Sequence, residues 1–125
     1  MGAIATSTAL LLGAGLGFAQ SASAAVNGDT SVVWGGISWP KATAYFQENG
    51  DELRVCDIAK DGIGAWAGLY ERSSNKFLKS ISVGGSGNCR TNTGNVKEGT
   101  LVYIKLCLRK DNVNSACVKS NFGYA

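Results

Sequence analysis

Four cysteines in a chain without a single histidine constrain this sequence more than any other feature: Cys56, Cys89, Cys107 and Cys117. No pair is spaced C-x-x-C, and no imidazole is present to complete a zinc site, so metal ligation gives way to disulfide formation. Two disulfides allow three pairings. Cys107 and Cys117 flank Lys110-Asp111-Asn112-Val113-Asn114, which reads as a hairpin tip. Folding about Asn112 brings those two cysteines opposite each other at a separation that a disulfide spans. Cys56 is then left with Cys89. In the chain-entropy picture the short loop contributes about 3 kcal/mol and the longer one about 4 kcal/mol, against a typical total stability of about 5–15 kcal/mol. The missing histidine also excludes His-dependent triads and an imidazole general base.

Disulfides persist in oxidising compartments, and the N-terminal segment fits that destination. From Ala3 to Ala19 there is no charged side chain, and Ala9-Leu10-Leu11-Leu12 continues to Leu16 and Phe18. The stretch is too short and glycine-broken for a spanning helix, which takes roughly 20 apolar residues. The small residues of Ser21-Ala22-Ser23-Ala24-Ala25 match a signal-peptidase site, predicting cleavage after Ala24. No Lys or Arg precedes the apolar run, which a signal peptide ordinarily carries, so a start upstream of Met1 is one explanation. Met1-Gly2-Ala3-Ile4-Ala5-Thr6 also fits the myristoylation pattern, but a six-residue match with three free positions is weaker than the run and cleavage site behind it. The organisation expected is a signal peptide over 1–24, an N-terminal extension or first strand over 25–40, and a single domain over 41–125. The mature protein is expected to be secreted, unanchored and monomeric.

Beyond residue 30 the pattern is of strands and turns. Val32-Val33-Trp34 is a short apolar run. Ala42–Gln47 and Glu52–Cys56 flank Asn49-Gly50, a strong signal for a type I′ hairpin. A two-residue turn there sets Phe46 opposite Leu53 and Ala44 opposite Val55. Ala65–Tyr70 alternates, with Trp66 expected in the core, and Phe77–Val83 places Phe77, Ile81 and Val83 in phase. Residues 84–99 read as a long loop carrying Cys89. Leu101–Leu108 points Val102, Ile104, Leu106 and Leu108 inward and Tyr103, Lys105, Cys107 and Arg109 outward, and residues 113–122 return as the closing strand. Six or seven short strands predict an all-β fold, a small antiparallel β-sandwich or partly closed barrel with two disulfides.

Arg54-Val55-Cys56-Asp57, Asp61-Gly62, Ala65-x-Ala67 and the late Cys107…Cys117 pair make the chain similar to a group of small secreted β-rich proteins of Streptomyces and related actinobacteria. The resemblance covers roughly residues 41–125. It implies an exported β-sandwich with two disulfides and brings no catalytic residue or activity with it.

Charge is divided along the chain. Residues 25–71 carry 3 basic and 7 acidic side chains; residues 72–125 carry 9 basic and 2 acidic. If the halves occupy different faces, the basic one suits a polyanion such as nucleic acid or an anionic wall polymer, with Lys105, Arg109 and Lys119 as its residues; interleaved strands would neutralise them instead. Trp34, Trp39, Trp66, Tyr45, Tyr70 and Tyr103 offer a stacking platform for a glycan, or simply core. Arg90 beside Cys89 offers a hydrolase-inhibitor loop, or simply a polar connection. Asp57 and Asp61 lack the alternating ligands of a calcium loop and read as turn residues, so no metal or other cofactor is expected. Glu48, Asp51 and Glu52 flank a hairpin tip, where water holds carboxylates near their ordinary pKa. Convergence of Asp57, Asp61 and Glu71 in a cleft would instead point to an enzyme. The resulting expectation is a secreted, non-enzymatic protein acting by surface binding. The alternatives are a hydrolase inhibitor using the Cys89–Arg90 loop and a small exported toxin.

Overall fold

A computed structural model describes residues 28–36 and 38–125; the signal segment and its cleavage site lie outside the described residues. These residues form nine strands: β1 (Thr30–Trp34), β2 (Ala42–Gln47), β3 (Glu52–Asp57), β4 (Gly64–Glu71), β5 (Phe77–Val83), β6 (Cys89–Asn92), β7 (Leu101–Lys110), β8 (Val113–Lys119) and β9 (Gly123–Tyr124). A four-stranded sheet has the order β1-β2-β3-β6. A five-stranded sheet has the order β8-β7-β4-β5, with β9 also pairing with β7. All ladders are antiparallel. The sheets do not close into a barrel, so the architecture is a β-sandwich.

Period-two alternation builds the interior. Ala42, Ala44 and Phe46 on β2 and Leu53 and Val55 on β3 face Ala65, Ala67 and Leu69 on β4 and Val102, Ile104 and Leu106 on β7, all buried. Each fully buried Leu, Ile or Phe contributes about 1.5–3 kcal/mol. The alanines sit opposite larger neighbours, which lets the two faces interdigitate. Leu108, expected inward, is only half-buried where β7 leaves the core.

The register of the β2–β3 hairpin is the one its sequence predicts, with Phe46 opposite Leu53 and Ala44 opposite Val55. Its turn is not type I′. That geometry needs φ > 0 at both Asn49 and Gly50, whereas the positive values fall at Gly50 (φ 96°) and Asp51 (φ 51°). Tertiary hydrogen bonds account for the difference: the Glu48 amide donates to Asp29 Oδ1 (2.8 Å), and Asp51 Oδ2 accepts from the Val96 amide (3.0 Å). Asp51 is thereby drawn inward to 8% exposure.

Both disulfides join neighbouring strands of one sheet. Cys56 and Cys89 are directly paired in the β3–β6 ladder, and Cys107–Cys117 ties β7 to β8. The second bond depends on a bulge. A two-residue turn at Asp111-Asn112, both at positive φ, sets Val113 opposite Lys110 and would leave Cys107 facing Ala116. The register shifts between Ser115 and Val118, with Ala116 at φ 52°, and this extra residue delivers Cys117 to Cys107.

Three expectations are corrected. Residues 84–99 are not all loop: Cys89–Asn92 is the strand β6, whose polar residues are ordered by the disulfide and by pairing with β3. Phe77 is out of phase with Ile81 and Val83, because a register shift between Leu69 and Tyr70 turns it to the outer face. Trp66 is not core; it lies half-buried on the outside of the five-stranded sheet.

Polar rivets close the two open sides of the sandwich. On one side Lys79 of β5 donates through Nζ to the carbonyls of Asp51, Asn92 (3.1 Å) and Gly94, using all three ammonium donors. Burial lowers the Lys79 pKa, opposed by Asp51 and then Glu52. On the other side Trp34 donates its indole N–H to the carbonyl of Ala116 in the bulge. The C-terminal segment locks both sheets at one end: the Tyr124 amide donates to Gly28 O (2.9 Å), and Thr30 Oγ1 to Asn121 O (2.8 Å). That crossing leaves no room for side chains, since a Cβ on Gly123 would lie 2.2 Å from the Gly28 carbonyl oxygen.

Replacing Cys56 and Cys89 together by Ser is expected to lower stability by about 4 kcal/mol, and the Cys107/Cys117 pair by about 3 kcal/mol. Because each bond holds an edge strand, hydrogen exchange should show protection falling first in β6 or β8, with β4 and β7 amides retaining the most protection in both variants.

Candidate functional site

The outer face of the five-stranded sheet gathers most of the predicted binding residues. Cross-strand pairing sets Tyr70 beside Tyr103, Gly68 beside Lys105, and Lys105 beside Lys119. The Tyr70 and Tyr103 rings stack at 5.5 Å and 12°. Phe77 meets Tyr70 edge-on at 5.6 Å, and Phe122 meets Tyr103 edge-on at 6.4 Å, making a four-ring row across the sheet. Offset and edge-to-face contacts of this kind are favourable beyond the area they bury.

Gly68 shapes this row. A Cβ there would lie 2.4 Å from Trp66 Cη2 and 2.9 Å from Tyr70 Cε1, so both rings lean over the bare backbone between them. Three cations sit above the aromatics: Arg72 over Phe122 at 4.4 Å, Lys119 over Tyr103 at 5.4 Å, and Lys105 over Tyr70 at 5.8 Å. These distances are within cation–π range. Burial raises the pKa of the Tyr70 hydroxyl, and the neighbouring Tyr103 adds to the shift. Tyr103, 7% exposed, donates its hydroxyl to Asn75 Oδ1 at 2.9 Å. A recess of about 260 Å³ opens at this end, lined by Arg72, Asn75, Tyr103, Lys119, Ser120 and Phe122.

No carboxylate interrupts the outward rows at this face: Trp66, Gly68 and Tyr70 on β4, Tyr103, Lys105, Cys107 and Arg109 on β7, and Cys117 and Lys119 on β8. The basic and acidic halves of the sequence separate only in part, since β4 of the acidic half lies in the five-stranded sheet and β6 of the basic half, with Arg90, in the four-stranded one. Residues 30–57 build three strands of one sheet, while most of the basic segment builds the other.

The remaining candidates lie elsewhere. Trp34 is half-buried against the core and spends its indole N–H on Ala116, with Lys41 Nζ 5.8 Å from its ring. Trp39 is 85% exposed in the connection between β1 and β2, so the two tryptophans form no common platform. Tyr45 lies on the other sheet and donates to Asp29 Oδ2 at 2.6 Å; that hydrogen bond is the main cause of its raised pKa, followed by burial and by the charge of Asp29. Arg90 is on the edge strand β6 rather than on a protruding loop. Arg109 continues the outward row of β7 beyond the rings, donates to Asn114 Oδ1 at 2.8 Å and lines a cleft with Arg90.

Sequence reasoning missed Arg72, Phe77 and Phe122. Arg72 and Phe122 lie outside strands, and Phe77 reaches the face only through the register shift. The one available signal was the outward phase of Tyr103 and Lys105.

The carboxylates do not converge. Asp57 is the last residue of β3 and Asp61 lies in the connection to β4, whereas Glu71 is the last residue of β4, so Glu71 stands apart from the other two. Asp57 is nevertheless buried, at 3% exposure, continuing the inward row of Leu53 and Val55. Its backbone holds the entry to β6 by accepting from the Gly87 amide (2.7 Å) and donating to Asn88 O (2.9 Å). Burial, then the charge of Asp61, raises its pKa, opposed by a hydrogen bond from the Gly85 backbone. Among the described residues, no three His, Cys, Asp or Glu side chains form a metal-binding group. Comparison of the chain with protein-family models, curated proteins and solved structures gave no match.

Two outcomes follow. Gly68→Ala is expected to cost about 1–3 kcal/mol through overpacking and to displace the Trp66 ring, read as a change in tryptophan fluorescence. For Asp57, the raised folded-state pKa makes its contribution to stability most favourable at low pH and lost as pH rises through the folded value. Asp57→Asn should therefore melt above the parent at neutral pH, with the difference shrinking as pH falls toward the unfolded carboxylate value near about 3.9. A pH-independent difference would contradict this account of Asp57.

Proposed function

We propose that this chain is a secreted, non-enzymatic binding protein that engages an anionic extracellular polymer, such as an acidic wall polymer or glycan, through the outer face of its five-stranded sheet. The observation that carries this reading is the row Phe77–Tyr70–Tyr103–Phe122 with Arg72, Lys105 and Lys119 above it and no carboxylate in the outward rows. The ring row holds the strand backbones rigid beneath the cations, so little side-chain freedom is lost when a polymer docks. The cations supply charge attraction and the ring edges supply apolar contact to sugar rings.

Export is supported by the uncharged apolar N-terminal segment and its small-residue cleavage pattern. Two intramolecular disulfides point to an oxidising, extracellular-type environment. The resemblance to small secreted actinobacterial proteins is in keeping with both. A binding role, rather than hydrolysis, is supported by the separation of Glu71 from Asp57 and Asp61 and by the absence of histidine. Inhibition through Arg90 is the less favoured reading, because that residue lies within a strand ladder.

Affinity chromatography on an acidic polysaccharide matrix, with a neutral dextran matrix as control, tests the proposal. The protein should be retained on the acidic matrix only and elute with salt, since exposed charges are screened at about 8–10 Å near physiological ionic strength. Lys105→Glu combined with Lys119→Glu should abolish retention, whereas Lys41→Glu on the other sheet should retain most of it. Equal loss in both variants would mean that net charge, not this face, is responsible.

A further inference from the structure

At the end of the sandwich away from the aromatic row, a cleft of about 280 Å³ lies where the two sheets meet. Gly64, Ser82 and Gly84 line it with two arginines, Arg90 from the four-stranded sheet and Arg109 from the five-stranded one, and Asp111 and Asn112 of the β7–β8 turn border it. Neither guanidinium has a carboxylate at ion-pair distance; among the described residues the ion pair formed is Lys41–Asp61 at 3.8 Å. Arg90 donates through Nη1 to Ser82 O at 3.5 Å and Arg109 through Nη1 to Asn114 Oδ1 at 2.8 Å, both neutral acceptors. A guanidinium carries five donors, so each arginine keeps most of its hydrogen-bonding capacity.

From this geometry we infer that the Arg90–Arg109 cleft binds a phosphate group. Planar guanidinium forks match the oxygens of a tetrahedral oxyanion, and two of them from different strands approach it from two sides. The backbone that carries each of them is held in advance of binding. Arg90 follows Cys89 directly, and Arg109 is two residues beyond Cys107, so each disulfide fixes the strand that carries one arginine. Ser82, Val83 and the two glycines form a wall of small side chains beside the arginines. Asp111 also lines the cleft, and its exposed carboxylate opposes binding of an anion. Arg109 continues the outward row of β7, but the site uses none of the four rings and none of the cations above them, and it stands whether or not they bind a polymer.

The test is titration of the isotope-labelled protein with inorganic phosphate, followed by the amide resonances of Gly64, Gly84 and Asn112. A second arm uses dimethyl phosphate, to separate a free or monoester group from a diester backbone. Saturable shifts at those amides are expected with at least one probe. Arg90→Met and Arg109→Met should each weaken binding about tenfold or more, and Arg90→Lys, which keeps the charge but loses the fork, severalfold. Asp111→Asn should tighten it, and Lys119→Met at the far end should leave it unchanged. The dispersed amide spectrum of each variant confirms folding. Shifts that never saturate with either probe, full binding by Arg90→Lys, or equal weakening by Lys119→Met would overturn the site.

Discussion

The seam between the two sheets carries this fold. Neither disulfide crosses it: Phe46, Leu53 and Val55 on one side meet Leu69, Ile104 and Leu106 on the other, and removal of that apolar surface from water is the main force that packs the layers together. The expectation from a chain of this size was that sulfur bridges compensate for a small interior. Their placement gives them a narrower task. Each disulfide pins an edge strand with little core of its own, β6 in one sheet and β8 in the other. The open sides are then fastened by groups that bind across the seam, Lys79 to three carbonyls on one flank and Trp34 to the bulged carbonyl of Ala116 on the other.

This division of labour explains how the outer face of the five-stranded sheet is free to differ from an ordinary solvated surface. With the interior filled by Phe46, alanines and medium-sized aliphatics, the three tyrosine and phenylalanine pairings among the described residues lie on the outer face. The bare backbone at Gly68 lets Trp66 and Tyr70 lie close to the sheet, and the ammonium groups of Lys105 and Lys119 sit over neighbouring rings. The result is a rigid apolar layer with charged tips.

Strand phase was legible wherever one face alone is buried. Val102, Ile104 and Leu106 alternate strictly with Tyr103, Lys105 and Cys107, and the Phe46–Leu53 and Ala44–Val55 pairs were readable from hairpin spacing. The failures have a common cause, which is that long-range partners overrode local preference. Cys89–Asn92 has the composition of a loop but is recruited into a ladder by Cys56 and β3. Asn49-Gly50 favours a type I′ turn, yet Asp29 and Val96 pull the flanking residues into another shape. Phe77 and Cys117 owe their facing to register shifts that leave no composition signal. The same limit hid the sites: Arg72 and Phe122 are far apart in sequence, and Arg90 and Arg109 converge only because two sheets meet there.

The two cystines also enclose the chain in a particular way. One ring contains the exposed stretch from Arg72 to Phe77, and the other contains the Asp111-Asn112 tip. A protease that cuts within either ring leaves both fragments attached through sulfur and still docked in their ladders. A nicked molecule therefore remains one particle, with its layers assembled.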